Sequence, residues 1–208
     1  MRGLGSFRVT IRLNHMPTKT KTTLKKKRRT ATSAKRSIAA VAKKRARKSR
    51  PGKAGPVNKW MELRDSPIHG LGAFARTDIR KGTKIIEYVG EKIGNAEADR
   101  RYDDAAMKRH HTFLFILNTR TCVDAAFEGN EARFLNHSCD PNCEAVITRG
   151  HIWIEAINAI PAGTELVYDY QYEDDPKYTD EDYRFYACRC GGPNCRGTIV
   201  KTRRRLKA

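Results

Sequence analysis

Cys188, Cys190 and Cys195 fall within eight residues, set among Gly191, Gly192 and Pro193. Thiols this close in a glycine-rich turn suit a zinc knuckle, and a closed structural zinc site takes four ligands. The fourth must come from elsewhere, with Cys122, Cys139 and Cys143 as candidates; disulfides or free thiols are the plainer alternatives. Cys122 lies in a strand-like run and reads as a small buried apolar side chain. A second concentration of directed polar groups is Arg-Phe-Leu-Asn-His-Ser-Cys-Asp-Pro-Asn at 133–142, although Asn136 and His137 by themselves also fit an ordinary polar loop. His69-Gly70-Leu71-Gly72 carries two glycines two apart, which lets backbone approach a ligand closely. It lacks the third glycine and the following helix of a dinucleotide fingerprint. Tyr168 and Tyr170 alternate at the end of 165–170, with Tyr172 behind them, so their rings share one face of a strand.

The elements that must position these groups are short. Strand-like runs fall at 60–64, 84–89, 113–117, 121–124, 143–148, 151–156 and 165–168, separated by turn residues. Arg149-Gly150 between the halves of 146–154 marks a hairpin. One helix is expected from Asn95, as cap, with Glu97 and Asp99 in its first turn, to about Arg109. A short helix opens at Asn130 and ends near Leu135. Ile79-Arg80-Lys81-Gly82-Thr83 and Ile160-Pro161-Ala162-Gly163-Thr164 echo each other, each as a tight turn feeding a strand. The pattern is mostly β with few short helices, not a βαβ fold.

Charge divides the 208 residues into unlike parts. Of the net +19, residues 1–57 supply 19 Lys/Arg and no acid, whereas 58–200 hold 18 Lys/Arg against 23 Asp/Glu, a balance of −5. The expected organisation is a basic, disordered arm at 1–56, a folded domain at 57–172, an acidic loop and cysteine knuckle at 173–200, and a basic tail at 201–208. Residues 39–47 are expected to turn helical once phosphates neutralise them, and Met16 is an alternative start to Met1. No run of about 18 apolar residues is present, so a spanning helix is not expected; nor is a secretory signal, while the acid-free start only superficially resembles a transit peptide.

Taken together and in this order, these pieces resemble the SET-domain family of protein lysine methyltransferases. The resemblance runs from about Trp60 to Thr202. It is carried by the Gly-Leu-Gly turn, Glu87-Tyr88-Val89-Gly90, Val123-Asp124-Ala125, Gly129-Asn130, Arg133 to Cys139, Glu165 to Tyr170, and the terminal cysteine knuckle called post-SET. Ser66 to Gly72 looks most like the trithorax-type branch, and compact bacterial SET proteins are similar in size. The resemblance implies a β-clip fold with a knot-like crossing, where the Asn136-His137 segment lies beside the strand of Tyr168 to Tyr170. It implies S-adenosylmethionine on one face and the acceptor lysine entering a narrow channel from the other. His69, Gly70, Leu71 and Gly72 would offer backbone groups to the cofactor, Asn136 and His137 would hold its amino and adenine portions, and Arg189 would reach it. Phe113 stands where many members carry Tyr, so one hydroxyl is missing there. Cys139 would complete the zinc set with Cys188, Cys190 and Cys195. Tyr170 matches the catalytic tyrosine, Tyr88 a channel wall, and Tyr168 a position held by Phe or Tyr, where a hydroxyl favours mono- or dimethylation.

The implied reaction needs a neutral lysine amine, which costs roughly 4–5 kcal/mol at pH 7 from a pKa of about 10.4. An aromatic channel and the sulfonium charge both disfavour the ammonium, leaving alignment as the main task. The expected acceptor is a basic protein such as a histone or histone-like nucleoid protein. Glu173, Asp174, Asp175, Asp180, Glu181 and Asp182 are either a steering rim for it or a solvated loop. The arm is expected to bind nucleic acid, to act as a targeting signal, or to be methylated itself. No membrane role is expected. The location is intracellular, at the nucleus or chromosome in a eukaryote and the cytoplasm or nucleoid in a bacterium. Two other readings are a catalytically inactive chromatin-binding SET protein and a zinc-stabilised peptide-binding module.

Overall fold

The computed structural model describes residues 7–8, 47–103 and 110–202. Most of the basic arm, including the 39–46 stretch expected to turn helical, lies outside the described residues, as do 104–109 and the end of the basic tail. In chain order the strands are β1 (Phe7–Arg8), β2 (Gly55–Pro56), β3 (Met61–Asp65), β4 (Leu71–Ala75), β5 (Lys84–Tyr88) and β6 (Glu91–Gly94). Helix α1 (Asn95–Arg101) follows, then β7 (Leu114–Asn118), β8 (Thr121–Asp124), a 3-10 turn at Glu131–Phe134, β9 (Asn136–His137) and β10 (Cys143–Thr148). β11 (His151–Ala156), β12 (Glu165–Tyr168) and α2 (Asp180–Phe185) complete the set. No described helix is long and apolar enough to cross a membrane.

A curled sheet runs β2-β3-β4-β12-β10-β11-β5, with β9 beside β12 and β1 on β10, and a smaller sheet runs β6-β8-β7. Alternation explains the strands: Ile152, Ile154 and Ala156 of β11 turn inward, as do Met61 and Leu63 of β3. Each such large apolar side chain contributes about 1.5–3 kcal/mol on burial. The β10–β11 hairpin turns at Arg149 and Gly150, both at positive φ (51° and 79°), which matches the strand twist. The two echoing turns meet each other: Ile79 and Ile160 exchange both backbone hydrogen bonds at 2.8 Å.

Two expectations are corrected. The helix from Asn95 ends at Arg101 and does not run to Arg109, with Tyr102 and Asp103 already outside it. Asn95 is also not its cap. Gly94 holds that place without a side-chain bond, while Asn95 Nδ2 donates to the Thr119 carbonyl at 3.0 Å. At the other side of the domain, Gly55 and Pro56 of β2 pair with Leu63 and Glu62 of β3. Upstream of β2, Ser49 N donates to the Ala126 carbonyl (2.8 Å), Ser49 Oγ donates to the Ala125 carbonyl (2.9 Å), and Ser49 Oγ accepts from Gly129 N (2.6 Å). The root of the arm is thereby seated on the 125–129 turn.

Candidate functional site

The 3-10 turn at Glu131–Phe134 is capped by Asn130, whose side chain accepts from Ala132 N, and is pinned by buried Ala132 and Leu135. It launches β9 parallel to β12, with Asn136 opposite Val167 and His137 opposite Tyr168. Asn142 clamps the same crossing, donating through Nδ2 to the Glu165 carbonyl (2.8 Å) and accepting at Oδ1 from Val167 N (3.0 Å). Buried Asn136 turns its amide toward the glycine loop. Nδ2 lies 3.3 Å from the carbonyls of His69 and Leu71, and 3.0 Å from Ser66 Oγ and from Glu165 Oε1. Ser66 Oγ in turn donates to Glu165 Oε1 at 2.7 Å. Gly72 is packed beneath this group, where a Cβ would stand 2.3 Å from Glu165 Oε1. Gly70 adopts a φ of +51° with open space above it, the kind of bare backbone a ligand can approach.

Tyr168, Tyr170 and Tyr172 form a ladder, with ring centroids 4.9 and 6.4 Å apart. Tyr170 is gripped at both ends: its N–H donates to His137 Nδ1 (3.2 Å) and its phenol donates to the Leu135 carbonyl (2.9 Å). The turn that carries it is held by Asp169, whose Oδ1 accepts from Gln171 N (3.1 Å), and Gln171 itself sits at φ +57°. A left-handed non-glycine residue costs on the order of 1 kcal/mol, so its neighbours must hold it. Tyr88 donates to the Phe113 carbonyl at 2.8 Å. A cavity of about 480 Å³ reaches Tyr168, Tyr170 and Phe115 and is bordered by Glu144, Gln171 and Lys201. Burial, then mutual proximity, push the phenols of Tyr88, Tyr168 and Tyr170 above the ordinary 10, so all three stay protonated. Burial pushes His137 down to about 4, against the pull of Asp169. With Nδ1 accepting, its proton sits on Nε2, which faces Cys139 Sγ at 3.4 Å. Burial alone would raise Asp169, but the Arg196 guanidinium (2.8 and 2.9 Å) and the Gln171 amide hold it below the usual carboxylate range.

The sulfurs of Cys139, Cys188, Cys190 and Cys195 lie within 4.8 Å of one another. Cys139 and Cys188 are 3.7 Å apart, close to the ~3.8 Å edge of a tetrahedron with metal–sulfur bonds of about 2.3 Å. That is far beyond a disulfide bond of about 2.05 Å, and all six cysteines are free. The donor set fits zinc. Burial pushes the Cys139 thiol up to about 11, whereas backbone donors of Cys139 and Gly192 overcome burial at Cys190 and bring it down to about 6. Of the other candidates, Cys122 and Cys143 are buried away from the cluster, with Cys143 pushed up to about 12 by burial.

The remaining predicted residues divide. Phe113 is joined to the loop through rings, since His111 lies 5.2 Å from it and 5.5 Å from His69. Arg189 is exposed, and its neighbour in the knuckle, Arg196, is the arginine engaged at the site. Of the acidic rim, Asp174 accepts from the Tyr183 phenol (2.6 Å), Asp175 from Lys177 N (2.8 Å), and Asp182 closes a capping box with Thr179. Ser66, Glu165 and Arg196 had no role from sequence. Ser66 and Glu165 lie inside recognisable motifs and Arg196 directly follows the last knuckle cysteine, but nothing in their spacing marks them.

A family model described as SET domain matches residues 70–171. The chain is 39% identical over 138 residues to Histone-lysine N-methyltransferase 2D of Homo sapiens, covering 64% of this chain and 2% of that protein. It is 41% identical over 140 residues to Histone-lysine N-methyltransferase, H3 lysine-4 specific, of Saccharomyces cerevisiae, covering 64% and 12%. With Histone-lysine N-methyltransferase mes-4 of Caenorhabditis elegans it shares 33% over 166 residues, covering 72% and 18%. The chain thus spans less than a fifth of the length of these relatives.

Proposed function

The chain belongs to the SET-domain family, and from that premise we propose that it methylates the ε-amine of lysine in a basic protein such as a histone or histone-like protein, using S-adenosylmethionine. The observation that carries the reading is the placement of Tyr170. Its phenol is fixed by Leu135 beside a cavity of mixed polar and apolar lining, one strand from the Asn136 amide that ties down the glycine loop. S-adenosylmethionine supplies a methyl group made electrophilic by a sulfonium. His69, Gly70, Leu71 and Gly72 would hold it with Asn136 and His137, and the open face above Gly70 fits that use.

The chain's own residues do the rest. The acceptor ammonium loses its proton to solvent, a step that costs about 4–5 kcal/mol at pH 7. The rings of Phe115, Tyr168 and Tyr170 offer the ammonium few dipoles in exchange for water and so favour the neutral amine, against the opposite pull of Glu144 and Glu155 on the same cavity. Neither His137 nor Asp169 is placed as a strong base: both ring nitrogens of His137 have protein neighbours, and Asp169 is locked to Arg196. The phenols align the amine. A hydroxyl at Tyr168 would take space and a hydrogen bond beside the acceptor amine, which is the reason for reading mono- or dimethylation. Cys139, Cys188, Cys190 and Cys195 would hold zinc as a closed structural site that pins the 188–200 segment beside Tyr170. The basic arm is read as the element that keeps the protein on nucleic acid.

The test is purified chain with radiolabelled S-adenosylmethionine and a mixture of basic proteins, beside Tyr170→Phe. Label on lysine from the wild type, with a drop of at least about a hundredfold in the variant, is the expected result. Equal transfer, or none from the wild type, defeats the reading.

A further inference from the structure

Arg196 touches both the thiolate cluster and the turn that carries Tyr170. Its backbone N–H donates to Cys139 Sγ at 3.4 Å, and it follows Cys195 directly. Its guanidinium grips both oxygens of Asp169, Nη1 to Oδ2 at 2.8 Å and Nη2 to Oδ1 at 2.9 Å. Asp169 Oδ1 is the same oxygen that accepts from Gln171 N and so maintains the left-handed turn around Tyr170. Planar two-point pairing fixes direction as well as distance. Nε of this guanidinium is the buried side-chain nitrogen left without a partner among the described residues, so the fold leaves a donor unpaired there while keeping the fork on Asp169. Four thiolates around a divalent ion carry a net charge of about −2, and Asp169 adds another negative charge. Arg196 is the cation placed between them. His137 spans the same gap, but as a neutral ring meeting Cys139 Sγ at 3.4 Å and the Tyr170 amide at 3.2 Å.

We infer that Arg196 is a positioning residue that transmits closure of the thiolate cluster to Tyr170: with metal in place, the 195–197 backbone is fixed, the fork holds Asp169, and Asp169 holds the turn that aims the phenol. The inference rests on the methyltransfer reading for its kinetic consequence but not for its structural one. It also makes the cluster more than a staple for the chain end, because the setting of the phenol depends on it.

The experiment uses the full chain, isotopically labelled, with zinc titrated into reduced metal-free protein and amide resonances followed by NMR. In the wild type, Tyr170 and Gln171 amides are expected to shift in step with those of Gly192 and Gly197. In Arg196→Met and in Asp169→Asn, Gly192 and Gly197 still respond to zinc while Tyr170 and Gln171 do not. Asp169→Asn lies outside the knuckle and serves if Arg196→Met fails to hold metal. With a basic protein as acceptor, kcat falls by about tenfold to a hundredfold in both variants, KM and zinc content stay within about twofold, and Arg196→Lys recovers part of the deficit. Zinc-dependent movement of Tyr170 surviving in either variant, which would pass the coupling to His137, or unchanged kcat, overturns the inference. If the wild type methylates nothing, the proposed activity fails by itself, and the resonances alone decide the coupling.

Discussion

Three neighbouring phenols, two of which line the cavity, make one quantitative test, because each hydroxyl is placed differently. Tyr170 donates to the Leu135 carbonyl, which has no other hydrogen bond described. Tyr88 donates to the Phe113 carbonyl, which also accepts from Ala125 N at 3.0 Å. The Tyr168 hydroxyl has no described protein partner, while its ring stacks near Phe115 and Tyr170. Replacement by Phe keeps the ring and removes only the oxygen. Tyr170→Phe strands a carbonyl and should cost about 1–3 kcal/mol; Tyr88→Phe leaves that carbonyl one bond and should cost about 1 kcal/mol. Tyr168→Phe gives up no described hydrogen bond and should stay within about 0.5 kcal/mol of wild type. Urea unfolding at constant m-value reads these differences as midpoint shifts. Mass spectrometry of the methylated acceptor reads the second consequence: Tyr168→Phe should move product from mono- and dimethyl- toward trimethyl-lysine. If Tyr168→Phe destabilises the chain as much as Tyr88→Phe, or leaves the product pattern unchanged, the assignment of that hydroxyl to the cavity is wrong.

Four further outcomes are expected. Cys139→Ser should abolish bound zinc measured by metal analysis and lower the melting temperature, whereas Cys122→Ser should keep full zinc content. Gly129→Ala should cost more than about 3 kcal/mol, because a Cβ there meets the Ala125 carbonyl oxygen at 2.1 Å, whereas Gly70→Ala, with open space but positive φ, should cost about 1 kcal/mol in thermal melts. kcat/KM should climb about tenfold per pH unit from 7 toward the free lysine pKa of about 10.4, without a descending limb below about pH 10. The rise follows from deprotonation of the acceptor, and the absence of a descending limb from the upward shifts of Tyr88, Tyr168 and Tyr170, which remain neutral throughout that window. Deleting 1–46, which spares the seated root at Ser49, should weaken DNA binding at low salt and flatten its salt dependence by about 0.9 in the log–log slope for each phosphate no longer neutralised; unchanged affinity would remove the arm from the proposal.

Legibility in the sequence followed the physics of each segment. Strands such as Thr121–Asp124, Cys143–Thr148 and His151–Ala156 declare themselves because apolar or β-branched residues recur between turn signals. β4 and β6 do not, since Gly70 and Gly72 mark a turn and Glu91–Gly94 offers one large apolar residue, Ile93; their strand character comes from partners in β3 and β8. The capping role assigned to Asn95 failed because Thr119, brought near by the β7–β8 hairpin, competes for the same amide. At the site, cysteine spacing and the Asn-His and tyrosine motifs identified the parts, and family likeness chose Cys139 over Cys122 and Cys143. What no spacing could announce is pairing across the crossing: Ser66 with Glu165 over 99 positions, and Asp169 with Arg196 over 27.

The backbone partner of Tyr172 and three of the four clustered cysteines come late in the chain. Tyr172 pairs with Val200, and three of four sulfurs follow residue 187. A chain leaving the ribosome can therefore assemble its sheets while the tyrosine ladder is still uncovered on that side. A product cut short before the last of these residues keeps its strands but lacks the cover on the tyrosines, so the proposed chemistry would be switched on only as synthesis of this region finishes.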